Sequence, residues 1–179
     1  MSKTVTPKDK ARAIRLLALD VDGVLTDGSL IFHANGSESK VFNSLDGHGI
    51  KMLQASGVDV AIITGRSSKM VEQRAGALGI KILFQGHEDK RVVLKEIKES
   101  KNLEWSQIAY CGDDLPDLAA IRSAGLGITV PNAPEYMLQY ADMCTTRDGG
   151  KGAVREVCDF IMQSQGTLQD AIDHYLLGL

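Results

Sequence analysis

The sequence is poor in aromatic residues. Phe, Trp and Tyr make up 5% of its 179 residues, with a single Trp, so aliphatic side chains must build the core. Long apolar runs are missing as well. None approaches the roughly 20 residues that cross a bilayer, and this speaks against a membrane partner. Met1–Arg15 is polar and basic, without the apolar stretch of a secretory signal. Cysteine is scarce. Cys111, Cys144 and Cys158 are odd in number and lack CxxC or zinc-ligand spacing. They read as reduced, partly buried thiols of a cytoplasmic protein. Charge of one sign is lacking too. A net charge of −3 gives no broad attraction to nucleic acid or to an anionic membrane. An anionic small molecule would have to be met by a local cluster of Lys and Arg.

Glycine, by contrast, is abundant at 18 residues, and the turns of an α/β fold use it. Ile14–Leu19, Val58–Ile63, Lys81–Phe84, Ile108–Cys111 and the shorter Gly127–Val130 read as buried strands. Helical patterns alternate with them at Gly49–Ala55, Lys69–Leu78, Lys90–Ser100 and Leu115–Ser123. That alternation predicts a single α/β domain over 1–179, a Rossmann-like parallel sheet with helices on both faces. One segment breaks the rhythm. Ser29–Phe32 and Glu38–Asn43 flank Ala34-Asn35-Gly36-Ser37, and Asn-Gly predicts a projecting β-hairpin over about 29–43. Residues 1–13 read as a frayed leader or a short helix. A tail over about 151–179 follows a glycine-rich basic stretch, Asp148–Gly152. Its first helix runs from Ala153 to about Gln165 and its second from Thr167, the expected N-cap, to Leu177.

Chemistry-bearing residues gather at strand ends. The first strand ends in Asp20-Val21-Asp22-Gly23, two carboxylates at the edge of a parallel sheet where ligands bind. Carboxylates this close repel unless a cation or a shared proton intervenes. Thr64-Gly65-Arg66 ends a second strand, and Gly112-Asp113-Asp114 ends a third, with Asp117 one helical turn on. Lys90 begins a helix. Singly, each has a plain structural use: Thr64, Asp113 and Asp114 as helix caps, Lys90 as a solvated charge. Together they converge on one sheet edge.

This ordered set resembles that of the haloacid dehalogenase-like phosphohydrolases. The resemblance implies that Asp20 is the nucleophile, Asp22 the general acid/base, and Thr64 and Lys90 the holders of the phosphoryl group. It also implies a Mg²⁺ site on Asp20, Asp22 (through its backbone carbonyl), Asp113 and Asp114. Asp20–Gly28, Phe42–Ile50, Ile62–Arg66 and Gly149–Val157 extend the likeness to the capless sugar-acid phosphatases of that superfamily. The substrate so implied is 3-deoxy-D-manno-octulosonate 8-phosphate, whose hydrolysis serves lipopolysaccharide synthesis. Nine-carbon neuraminate or ketodeoxynonulosonate 9-phosphate is the alternative. A non-catalytic binding protein on the same scaffold is the alternative of another class. The family's substrate contacts fall on Asp22, Asn43, Ser44, Leu45, Asp46, Gly47, Lys51, Arg66, Arg74 and Lys90. A helix edge bearing Arg66 and Arg74 would let both face the site. Relatives often carry Arg in the Asn43–Gly47 loop and at position 51, and this chain does not. His48 reads as a polar turn residue, and Arg155 as a candidate contact for the anionic substrate. Members form homotetramers in which a neighbour closes each site, which supplies the lid a capless domain lacks.

Overall fold

The first strand, β1 (Leu16–Leu19), is buried throughout, and its side chains alternate between two apolar clusters that set the layers of the fold. Leu17 and Leu19 enter one apolar cluster, whereas Leu16 and Ala18 enter another on the opposite face. The computed structural model describes residues 5–178.

A short helix α1 (Pro7–Ala11) precedes β1. The hairpin strands β2 (Ile31–Phe32) and β3 (Glu38–Ser39) follow, then α2 (Ser44–Ala55), β4 (Asp59–Thr64) and α3 (Lys69–Leu78). Next come β5 (Ile82–Gln85), α4 (Lys90–Ser100), β6 (Ile108–Cys111), α5 (Leu115–Ser123), β7 (Leu126–Thr129) and β8 (Met143–Cys144). Helices α6 (Ala153–Gln165) and α7 (Leu168–Leu177) complete the chain.

Six strands form a parallel sheet in the order β5-β4-β1-β6-β7-β8. The chain builds outward from β1 to β4 and β5, then returns to the other side for β6, β7 and β8. The carboxyl end of β1 is therefore the switch point, where crossovers depart to opposite sides and leave a crevice. One face of the sheet is covered by α1, α2, α3 and α6 through Ala11, Ile50, Leu53, Val71, Val154 and Ile161. The other is covered by α4 and α5 through Val93, Leu94, Ile97, Ala120 and Ile121.

The predicted architecture is observed, with local differences. The hairpin's paired segments are shorter than expected, two residues each. Strand β8 was not expected, because a two-residue strand carries no periodic signal. Helix α2 starts five residues earlier than the pattern predicted. Asn43 is its N-cap, with its Oδ1 accepting from Leu45 N at 2.8 Å. Thr167 occupies the N-cap position of α7 without a side-chain cap bond. Its N–H instead closes α6, donating to Met162 O at 2.9 Å. Among the described residues, no helix is long and apolar enough to cross a membrane.

Candidate active site

Asp20 lies one residue beyond β1, its N–H donating to Cys111 O of β6 at 3.0 Å. Its carboxylate is 9% exposed at the bottom of a cleft of about 520 Å³. Asp22, Thr64, Arg66, Lys90 and Asp113 line the same cleft.

The floor is a buried charge network. Lys90 Nζ lies 2.7 Å from Asp20 Oδ1 and 2.6 Å from Asp117 Oδ1. Tyr110 OH donates to that same Asp117 oxygen at 2.6 Å. The other, Oδ2, accepts from Asp113 N at 3.1 Å and Asp114 N at 3.3 Å. Burial, with Asp117 alongside, pushes the Asp20 carboxyl up to about 7 against the pull of Lys90. Burial and then Asp117 push Asp113 up to about 6. Burial works against the Lys90 ammonium, but Asp20 and Asp117 hold its pKa above the usual value.

Carboxylate oxygens of Asp20, Asp113 and Asp117 lie within 4.8 Å of one another. Asp20 and Asp113, held above their ordinary pKa values, are the acids that gain most from a cation. Asp117 is already saturated by four donors. Hard oxygen donors of this kind suit Mg²⁺. The residues present therefore fit the ion, and Asp20 and Asp113 would be its side-chain holders.

Backbone geometry presses Asp113 against the loop after Asp20. Gly23 has φ +91°, and a Cβ there would lie 2.0 Å from Asp113 Oδ2. Only glycine satisfies both conditions. The glycine-rich Gly149–Gly152 stretch packs against this same loop. Gly150 N donates to Val24 O at 2.9 Å. Gly149 N donates to Asn132 Oδ1 at 2.7 Å, and Asn132 Nδ2 donates to Gly23 O at 2.9 Å.

Thr64 is the last residue of β4, 2% exposed. Arg66 stands at the mouth, its NH2 2.8 Å from Glu38 of the hairpin and its Nε 3.8 Å from Asp22. Asp20, Asp22, Thr64, Arg66, Lys90 and Asp113 thus meet in one cleft.

Of the other expected site residues, only Asp114 lines this cleft within the chain. Asp114 borders the cleft, but its Oδ1 caps α5, accepting from Leu115 N at 2.8 Å. Its carboxylate is not among the three that converge. Arg74 is a strut beneath α2. It donates to Asn43 O at 2.9 Å, and a Cβ on Gly47 would meet its NH2 at 2.3 Å. Helix α3 begins only at Lys69, so Arg66 and Arg74 share no helix edge. Asn43 to Gly47 form the cap and first turn of α2 rather than a loop. Ser44 and Leu45 open that turn, and Leu45 lines a separate groove with Arg155 and Phe160.

Asp46 is 1% exposed and accepts from Arg155 N at 2.8 Å. Burial raises its pKa, while N–H groups of Arg155, Gly152 and Val154 pull it down. It caps α6 from another helix, because the N-cap Gly152 has no side chain to do so. The Arg155 Nε is bound to both oxygens of Asp159, at 2.8 Å each. Lys51 lines a groove between α2 and α7 with His174 and Tyr175. His48 faces that end too, its ring 5.3 Å from that of Tyr175.

Sequence reasoning did not include Lys40, Tyr110 or Asn132 in the site. The spacing of Asp117 from Asp114 was its only signal.

Comparison with known proteins agrees with this fold. A family profile described as haloacid dehalogenase-like hydrolase fits residues 83–157. The 3-deoxy-D-manno-octulosonate 8-phosphate phosphatase KdsC of Escherichia coli K12 is 45% identical over 162 residues, 90% of this chain and 86% of that protein. The chain belongs to this phosphatase family. The Moraxella catarrhalis phosphatase, crystallised with magnesium, phosphate and KDO, superposes with a TM-score of 0.93 at 47% identity. That match covers 94% of this chain and 97% of the other. The Yersinia pestis phosphatase gives a TM-score of 0.89 at 45% identity, covering 90% and 88%. The family's parallel α/β fold is thus that of this chain.

Proposed function

We propose that this protein hydrolyses 3-deoxy-D-manno-octulosonate 8-phosphate to the free sugar acid and phosphate, through an aspartyl-phosphate on Asp20, for lipopolysaccharide synthesis. The observation that carries the mechanism is the Asp20 carboxylate, buried at the switch point between Lys90 and the acid pair Asp113 and Asp117.

A phosphate monoester is an anion, so a bare carboxylate is repelled by it. Asp20, Asp113 and the backbone carbonyl of Asp22 would hold Mg²⁺, which would supply the positive charge that screens that repulsion. Asp20 attacks phosphorus, forming an O–P bond as the bond to the sugar C8 oxygen breaks. Asp22 gives its proton to that departing oxygen. It then takes a proton from the water that attacks phosphorus and frees Asp20. Thr64 and Lys90 hold the phosphoryl oxygens as charge spreads over them. Arg66 at the mouth is the cation for the substrate carboxylate.

The hairpin leaves Leu30, Phe32 and Val41 exposed, at 49%, 65% and 65%. A two-stranded ribbon with such a face is marginal alone. This supports a homotetramer with hairpins at its centre, and the reduced, unpaired thiols Cys111, Cys144 and Cys158 support a cytoplasmic location. Size-exclusion chromatography with light scattering tests the assembly. Phosphate release with and without Mg²⁺, compared by kcat/KM across eight- and nine-carbon sugar-acid phosphates, tests the activity. The eight-carbon substrate is expected to lead. Equal or better turnover of a nine-carbon substrate would overturn the assignment.

A further inference from the structure

The hairpin sends a second cation toward the cleft. Lys40 follows β3 directly, and its side chain is 2% exposed. Its Nζ donates to Asp22 Oδ1 at 2.5 Å. Among the described residues, Lys40 Nζ has no other acceptor and Asp22 no closer cation. A buried ammonium with a single carboxylate partner is costly to separate. The pair is therefore a fixed joint rather than a chance surface contact.

The joint acts on one oxygen only. An ammonium has donors and no acceptor, so the Lys40 bond occupies Oδ1 of Asp22 and leaves Oδ2 free of it. That oxygen faces the Arg66 side of the cleft, with Nε 3.8 Å away. Arg66 is itself tied to Glu38 of the hairpin. Both contacts to the Asp22 carboxylate thus trace back to one hairpin strand. Asp22 takes no part in the Asp20, Asp113 and Asp117 carboxylate group.

We propose that Lys40 is a positioning residue for Asp22, fixing Oδ1 so that Oδ2 is presented to the leaving oxygen and the attacking water. The proposal rests on the reading of Asp22 as the general acid and base. It makes the hairpin part of the catalytic apparatus as well as an assembly element.

The test compares the wild type, Lys40→Met, Asp22→Asn and the double variant, each as the full-length assembled protein. Lys40→Met is expected to lower kcat on the sugar-acid phosphate about tenfold, with KM changed less than about twofold. In the Asp22→Asn background, Lys40→Met should add no further loss, since the group it orients is gone. On p-nitrophenyl phosphate, whose leaving group departs without a proton, Lys40→Met should lose less than on the sugar substrate. Where Lys40→Met changes the assembled state, Lys40→Gln, which keeps a donor, repeats the comparison with an intermediate loss expected. Multiplying effects of the two substitutions would overturn the proposal. So would a rise in KM at unchanged kcat, which marks a direct substrate contact. Full turnover by Asp22→Asn would instead remove the acid–base reading itself, and the role of Lys40 with it.

Discussion

Tyr110 OH and Lys90 Nζ both donate to the same oxygen of Asp117, each at 2.6 Å. Asp117 is 1% exposed and Tyr110 is fully buried. The phenol therefore has no water to replace its partner. It steadies the carboxylate that holds Lys90 beside Asp20. Tyr110→Phe keeps the ring and its packing but removes that donor. Losing a hydrogen bond to a charged group costs about 1.5–3 kcal/mol. A fall in kcat/KM of about tenfold is expected, carried mainly by kcat. Steady-state kinetics on the sugar-acid phosphate checks this, with circular dichroism confirming an intact fold.

The raised carboxyls of Asp20 and Asp113 predict a pH-dependent response to Mg²⁺. In the metal-free protein Asp20 is raised from 3.8 to about 7. The folded state thus binds a proton that the unfolded chain has released. The stability this contributes is complete below about 3.8 and is lost as pH rises through about 7. Asp113 behaves alike, its window ending at about 6. Mg²⁺ competes with those protons, so the rise in Tm on adding Mg²⁺ should be larger at pH 8 than at pH 5.5. Asp20→Asn should abolish phosphate release, leave the metal-free protein no less stable at pH 8, and shrink the Mg²⁺ effect. Thermal melts of both proteins across pH, with and without Mg²⁺, provide the measurement.

How much of this was legible in the sequence follows from what each signal rests on. Asp20, Thr64 and Asp113 could be read because a parallel sheet brings strand ends to one edge, and buried strands are visible as apolar runs. Lys90 was legible through its place at a helix start. The first turn of α2 was not. Gly47, His48 and Gly49 dilute helical periodicity, so Asn43 to Gly47 read as a loop although Asn43 caps a helix. Arg74 misled because eight-residue spacing has angular meaning only within one helix, and Arg66 precedes α3. Lys40 looks like an ordinary edge charge. Its contact with Asp22 spans 18 residues and exists only once the hairpin folds back.

The brace behind the catalytic loop gives a third prediction. A Cβ on Gly149 would lie 1.8 Å from Gly23 O and 3.0 Å from Val24 N. Both clashing atoms are backbone, so neither can swing aside. Gly149→Ala must displace the loop that follows Asp22 or expel the Gly149–Gly152 turn. A loss of about 2 kcal/mol or more is expected, together with at least tenfold lower kcat. Gly76→Ala is the control, because among the described residues nothing outside its own helix backbone and chain neighbours lies within 4 Å of the added methyl. Position 76 lies within α3, where Ala is favoured over Gly by about 1 kcal/mol. Urea unfolding and phosphate release on the two variants separate the effects.

Asp46 was expected to touch substrate, and the structure gives it other work. Its Oδ1 takes the Arg155 N–H of α6, and its Oδ2 is buried with no hydrogen-bond partner among the described residues. It joins the first turn of α2 to the first turn of α6, so removing it uncaps one helix and loosens two. Asp46→Ala should cost about 1–2 kcal/mol, the usual loss of a helix cap. Because the carboxylate is buried away from the Asp20 cleft, KM for the sugar-acid phosphate should stay within about twofold below the melting temperature. Asp46→Asn retains an acceptor for Arg155 N, so it should recover part of the lost stability. Urea titrations of the three proteins, with KM measured at 25 °C, decide between the two roles. A KM that rises tenfold at unchanged stability would restore Asp46 to the substrate site.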